Sequence, residues 1–212
     1  MLFRSLYATP QVLIVHQSLE VRSIRDLVAI AKASPGKLDW AMVGITGIRR
    51  MTTEFVQELL GVKFTLIPYK GTSAIAPALI NGEVAISMQA PRNTTPMIRT
   101  GRVKALAHTG FPGFRFPELP EVRNFAESGG PEFELLAWTG LHAPAATPLA
   151  TRTAINRLFN EPLKDPAFEK AFISGGDIPA ANTVEEFEQF MRIEKERWVR
   201  TANRLNIRLK AD

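Results

Sequence analysis

Leu38-Asp-Trp-Ala-Met-Val-Gly-Ile-Thr-Gly-Ile-Arg-Arg-Met51 is the stretch on which the fold turns. Its first part, Leu38 to Val43, is a short and almost continuous apolar run, the pattern of a strand buried on both faces. Gly44-Ile45-Thr46-Gly47 interrupts it, after which Met51, Phe55, Leu59 and Leu60 recur at helical spacing as far as Gly61. A strand passing through a glycine-bearing loop straight into a helix is half of a βα unit.

The flanks repeat the pattern. Upstream, Gln11 to His16 reads as a strand, and Ser23-Ile-Arg-Asp26 as a capping-box-like start for a helix that stops at Ser34-Pro35-Gly36. Downstream, Lys63 to Pro68 is a strand and Tyr69-Lys70-Gly71 a turn. Thr72 is the N-cap expected for a helix that ends near Asn81-Gly82 with Pro77 inside it. Glu83 to Met88 and Arg102 to His108 are further apolar strands, separated by a short helix beginning at Pro91 or Pro96. This alternation predicts right-handed βαβ crossovers and a mostly parallel sheet.

From residue 110 to 131 the texture changes to Phe111-Pro-Gly-Phe-Arg-Phe-Pro-Glu-Leu-Pro120, too proline-dense for a central strand or a helix, and a natural lobe boundary. Beyond it come a strand around residues 133–141, helices near 149–163 and 165–174, and a last helix. That helix begins at Thr183, has Glu186 to complete a capping box, and carries Phe187, Phe190, Met191 and Trp198 on its inner side. The expected division is one α/β lobe over residues 10–106, and over 107–212 a return to a first lobe with C-terminal helices.

A chain of 212 residues with 45% hydrophobic and 22% charged residues has room for one domain or two small lobes. No window approaches the roughly eighteen uninterrupted apolar residues of a membrane helix, so direct membrane insertion is not expected. The apolar run in the first ten residues is short and holds Arg4, so it is not read as a signal peptide; expressed as written, the chain is expected to stay in the cytoplasm. Having no cysteine excludes disulfides, thiolate zinc sites and a thiol nucleophile. The net charge of +5 slightly favours small anions and falls short of a nucleic-acid footprint. Arg192, Lys195, Arg197, Arg200, Arg204 and Arg208, interleaved with Glu194 and Glu196, read as a solvated, ion-paired helix face, with phosphate binding as the alternative.

Chemistry is hard to find. No G-x-S-x-G elbow occurs. His16, His108 and His142 lie singly on apolar segments, the setting of core or strand-end histidines and not of a metal set. No two carboxylates pair at a strand end as acid and base, and Gly44-x-x-Gly47 is neither a dinucleotide fingerprint nor a P-loop. These residues point to no enzyme, no cofactor and no metal. What Gly44, Ile45, Thr46 and Gly47 do offer is a loop whose backbone N–H groups lie at the positive end of a helix dipole, able to hold a carboxylate; a plain connector is the alternative. Ligands of open α/β sheets bind at the carboxyl ends of the strands, so Lys70, Gly71 and Gln89, which follow adjacent strands, are candidates for the same crevice.

In chain order, Ala31-Lys-Ala-Ser-Pro-Gly-Lys37, the strand, Gly44 loop and helix through Glu54, Ile67-Pro-Tyr-Lys-Gly71, and Asn81-Gly-Glu-Val84 form a series. It continues through Thr100-Gly-Arg-Val-Lys-Ala-Leu-Ala107, Leu119-Pro-Glu-Val122, Glu127-Ser-Gly129 and Trp138-Thr-Gly-Leu-His-Ala-Pro144 to Thr147-Pro148. The series resembles the Bug, or TctC-like, solute receptors of tripartite tricarboxylate transporters along nearly the whole chain. The resemblance implies a type II periplasmic-binding-protein fold: two α/β lobes closing on a small organic acid or amino acid, which is then passed to membrane transporter subunits. It implies a periplasmic location. It also implies that the first lobe is incomplete, since the opening strands of such receptors precede the matched part, and hence a truncated receptor that binds poorly or only with another chain. Thr46, Gly47 and Arg50 stand where the family usually has a second glycine, a serine and a histidine; Ala85 replaces a common aspartate, and Arg123-Asn124 a Pro-Thr. The alternatives are an effector-binding domain of the same fold, for which no DNA-binding helix-turn-helix is seen, and a non-functional remnant.

Overall fold

In the computed structural model, which describes residues 2–207, the first strand, Leu2–Pro10 (β1), runs through Gln11 directly into Val12–His16 (β2), and the two strands belong to different sheets. The chain continues through Ile24–Ala33 (α1), Asp39–Val43 (β3), Ile48–Leu60 (α2), Thr65–Tyr69 (β4), Thr72–Asn81 (α3), Ile86–Gln89 (β5), Pro91–Arg99 (α4) and Val103–His108 (β6). After a long loop come Leu136–His142 (β7), Leu149–Asn160 (α5), Pro166–Ser174 (α6), Ile178–Pro179 (β8) and Val184–Arg204 (α7).

The larger sheet has the order β4-β3-β5-β2-β6. β3 is parallel to β4 and β5, as the βα units require, while β2 is antiparallel to both neighbours, β5 and β6. Four strands therefore share one direction and β2 opposes them, an inversion that no local pattern in Gln11 to His16 announces. In β2, Leu13 and Val15 face one apolar layer, with Leu27, Trp40 and Val56, while Val12 and Ile14 face another, with Ile75, Leu79 and Phe116. All four β2 residues are 0% exposed, each worth about 1.5–3 kcal/mol of burial. The sheet is thus sealed on both faces.

The 110–131 stretch is a loop, as its prolines demand, but it does not stand off as a linker. Phe116, Leu119 and Val122 join one core layer and Phe125 the other. Against it His108, the last residue of β6, is fully buried: its Nδ1 accepts from the Gly110 N–H at 3.0 Å and its Nε2 meets the Phe114 carbonyl at 3.1 Å, which makes Nε2 the protonated nitrogen. Burial pushes its pKa down and keeps it neutral. His16 ends β2 against Ser18 Oγ, and His142 lies on β7, 6.1 Å from the Phe187 ring.

The smaller sheet, β7-β1-β8, is antiparallel. Neither β1 nor β8 is signalled by the sequence: Arg4, Ser5, Thr9 and Pro10 break the apolar pattern of one, and the other is only two residues long. Thr109 ties the crossings between the two sheets together. It exchanges hydrogen bonds with Gln11, its carbonyl accepts from the Leu135 N–H at 2.8 Å, and its hydroxyl donates to the Leu135 carbonyl.

Helix ends follow from their side chains. Ser23 Oγ accepts from the Asp26 N–H, but the Asp26 carboxylate turns to the Arg22 N–H at 2.9 Å, and that hydrogen bond lowers its pKa. α7 has the full reciprocal box between Thr183 and Glu186. At α3 the N-cap is Gly71 and Thr72 is the first helical residue, one position later than expected; α4 begins at Pro91. α7 spans both sheets. Its first half packs on β1, Trp198 reaches the larger core, and Arg204 pairs with Glu58 of α2 at 3.0 Å while lying over the Phe55 ring. Arg197 pairs with Glu194, Arg192, Lys195 and Arg200 are exposed, and Arg208 lies outside the described residues.

Candidate functional site

Because β3, β4 and β5 are parallel, their ends and the starts of α2, α3 and α4 gather on one edge of the larger sheet. The loop after β3 needs glycine at both ends: φ is +72° at Gly44 and +79° at Gly47, a region that side chains disfavour. The Gly44 N–H is not free, since it donates to the Tyr69 carbonyl at 2.9 Å and ties the loop to β4. Gly47 is the N-cap of α2. No side chain caps that helix, and its first turn holds no acidic residue, so its positive end is uncompensated from within. Arg50 folds back on the loop, donating to the Ile45 carbonyl at 3.2 Å and facing Glu54. Arg49 is exposed and has no carboxylate partner among the described residues.

A cavity of about 450 Å³ opens beside this helix start, between the two sheets. Ile48, Arg49, Thr52 and Thr53 of α2 form one wall; Thr72, Ile75, Met88 and Gln89 continue it. Leu136, Ala137 and Trp138 of β7, with Glu194 and Trp198 of α7, stand opposite. Of the seven residues singled out in the sequence, Gln89 lies on the wall itself. Gly44, Ile45, Thr46 and Gly47 immediately precede its α2 residues, and Lys70 and Gly71 immediately precede Thr72. The Gln89 amide is turned into the sheet: Ser87 Oγ donates to the Ala41 carbonyl, so it accepts from Gln89 Nε2 at 3.2 Å, and Gln89 Oε1 is buried without a partner among the described residues.

Sequence reasoning missed the opposite wall. The Trp138 and Trp198 indoles donate to one oxygen of Glu194, at 3.2 and 3.1 Å, and Arg197 approaches the other at 3.4 Å. All three tryptophans of the chain, Trp40 included, border this cavity. Helical period alone places Trp198, as a core residue, and no sequence motif singles out Arg49, two residues past the loop.

A larger cavity, about 540 Å³, lies beneath the smaller sheet against Phe187, Phe190 and Asn182 and shares Trp138 and Glu194. The helix start on its wall, that of α7, is closed by the Thr183–Glu186 capping box, and we read this cavity as loose packing of that sheet. Among the described residues no group of histidine, aspartate and glutamate is placed to hold a metal. On the far side of the cleft, Asp177 bonds Arg92 at the start of α4 and accepts from the Thr9 hydroxyl, with Arg92 5.6 Å over the Tyr7 ring. This is a second tie between the sheets, beside Arg204 and Glu58.

Residues 3–207 match the family model described as the tripartite tricarboxylate transporter family receptor. The chain is 30% identical over 201 residues to protein BugT of Bordetella pertussis, covering 95% of this chain and 61% of BugT. An adipate-bound protein of R. palustris superposes with a TM-score of 0.84 at 24% identity, covering 97% of this chain and 69% of that one. MatC of Rhodopseudomonas palustris, with malate bound, gives 0.80 at 24% identity, covering 93% and 68%. The fold is that of type II periplasmic binding proteins, and the chain spans about three fifths of the length of BugT.

Proposed function

The chain belongs to the tripartite tricarboxylate transporter receptor family, and from that premise we propose that the cavity between its two sheets holds the carboxylate of a small organic acid for delivery to membrane transporter subunits. The observation that carries this reading is the start of α2. It is a helix N-terminus without a capping side chain or an acidic first turn, with Arg49 lacking a carboxylate partner among the described residues beside it, opening on a largely apolar cavity. Residues 44–47, Lys70, Gly71 and Gln89 frame that end.

Two solved relatives of the fold carry adipate and malate, both small carboxylates. Family and fold are those of solute-binding receptors, which bind and release without chemistry. The family works in the periplasm, and we assign this chain to that compartment. Residues 10–106 serve as the second lobe and 107–212 as the return to the first. Leu158, Phe159, Phe168 and Ile173, all exposed at 40% or more, are the apolar surface of the first lobe that further structure would cover.

A thermal-shift titration of the purified chain with small carboxylates tests the reading. Ligand at about a hundred times its Kd stabilises a chain of this size by about 2.7 kcal/mol, or roughly 5–10 °C. A saturable rise with carboxylates and none with matched amines is expected. A cooperative melt that no carboxylate moves would rule the cavity out as an acid-binding site.

A further inference from the structure

We infer that the cleft takes monocarboxylates with an apolar body and excludes dicarboxylates of the same length, with Glu194 as the discriminating residue, an inference that rests on the cleft being the carboxylate site. Among the described residues on its wall, Arg49 is the only cation and Glu194 the only anion, and they belong to different helices, α2 and α7. The wall therefore has one group that favours a carboxylate and one that opposes a second. Arg197 does not reverse this. It reaches the Glu194 oxygen that the indoles leave and lines the cavity beneath the smaller sheet, not the cleft.

A second carboxylate would also find few donors. The Trp138 and Trp198 N–H groups are spent on Glu194 and the Thr53 hydroxyl on the Arg49 carbonyl, while Gln89 Nε2 gives one of its two N–H groups to Ser87 and Gln11 Nε2 one to the Thr9 carbonyl. Much of the remaining wall is apolar, with Met42, Val43, Ile75, Met88 and Leu136 on it. A charged group placed there loses its water for few hydrogen bonds, while a methyl terminus loses nothing. The adipate and malate of the related structures each carry two carboxylates, so this chain departs from both.

Hexanoate, adipate and 6-aminohexanoate have the same chain length and end in a methyl, a carboxylate and an ammonium. Their affinities for the purified wild-type chain, measured by calorimetry, should place hexanoate at least about tenfold above adipate, the effect of one like-charge contact in a partly desolvated cleft. 6-Aminohexanoate, polar at the same position but not negative, should also exceed adipate. In Glu194→Gln the hexanoate-to-adipate ratio should fall by roughly fivefold or more. Adipate binding as well as hexanoate in the wild type, adipate equal to 6-aminohexanoate, or an unchanged ratio in Glu194→Gln would each overturn the role of Glu194 while leaving the carboxylate site standing. Binding of none of the three would remove the carboxylate site and this inference together. The wild-type ranking needs no variant to fold.

Discussion

The five-stranded sheet buries both its faces, so that Val12, Leu13, Ile14 and Val15 are all fully enclosed, whereas the helices beside the three-stranded sheet leave Leu158 71% exposed and Phe159 and Phe168 more than 40% exposed. The cleft lies between these unequal halves. One wall, with residues 44–47, α2 and Gln89, stands on a close-packed support that holds backbone donors in place. The other, with Trp138, Glu194 and Trp198, stands on a thin sheet propped by α7. On the proposed reading, affinity for a carboxylate would belong to the first wall and adaptability to the second.

The sharpest way to break this contrast is a paired truncation. Ile14→Ala should cost about 2–5 kcal/mol in urea unfolding, while Leu158→Ala should stay within about 0.5 kcal/mol; equal costs would show that the halves are not unequal. Next in size is the tie that holds them together. Asp177→Asn removes the charge that Arg92 and the Thr9 hydroxyl share across the cleft, and because Arg92 is nearly half exposed the loss should be roughly 1–3 kcal/mol. If the tie joins the halves, amide exchange should quicken in β1 and β8 and stay slow in β2; uniform quickening would contradict it.

The smallest effect is one of pH within the larger half. Glu127 accepts from both Arg115 nitrogens and from the Asn124 N–H, and the Arg115 hydrogen bond above all lowers its pKa from 4.5 to about 2. A carboxyl lowered on folding stabilises above its unfolded pKa and loses that contribution as pH falls through the folded value. Stability should therefore decline between about pH 4.5 and 2. Glu127→Gln should flatten the urea midpoint across that window, and an unaltered slope would count against the pairing.

The larger half was legible because its signals are local. The period change at Gly44, the turn residues at Gly61 and Gly82, and the caps at Ser23 and Thr183 each announce an element from a few neighbouring residues. The inverted direction of β2 and the strands β1 and β8 were not, because sheet membership is decided by partners far along the chain: Ala8 pairs with Trp138 and with Ile178. The site divides in the same way. Paired glycines reveal the α2 end, but Trp138 meets Glu194 across 56 positions, and nothing near either residue foretells it.

Trp40, Trp138 and Trp198 are all the tryptophans the chain has, and all border the same cleft. Ultraviolet excitation of indole therefore draws its emission from the edge of one space. Colour and intensity will register whatever displaces solvent there or changes the angle between the sheets. The protein carries its own optical gauge of occupancy, and it needs no attached dye.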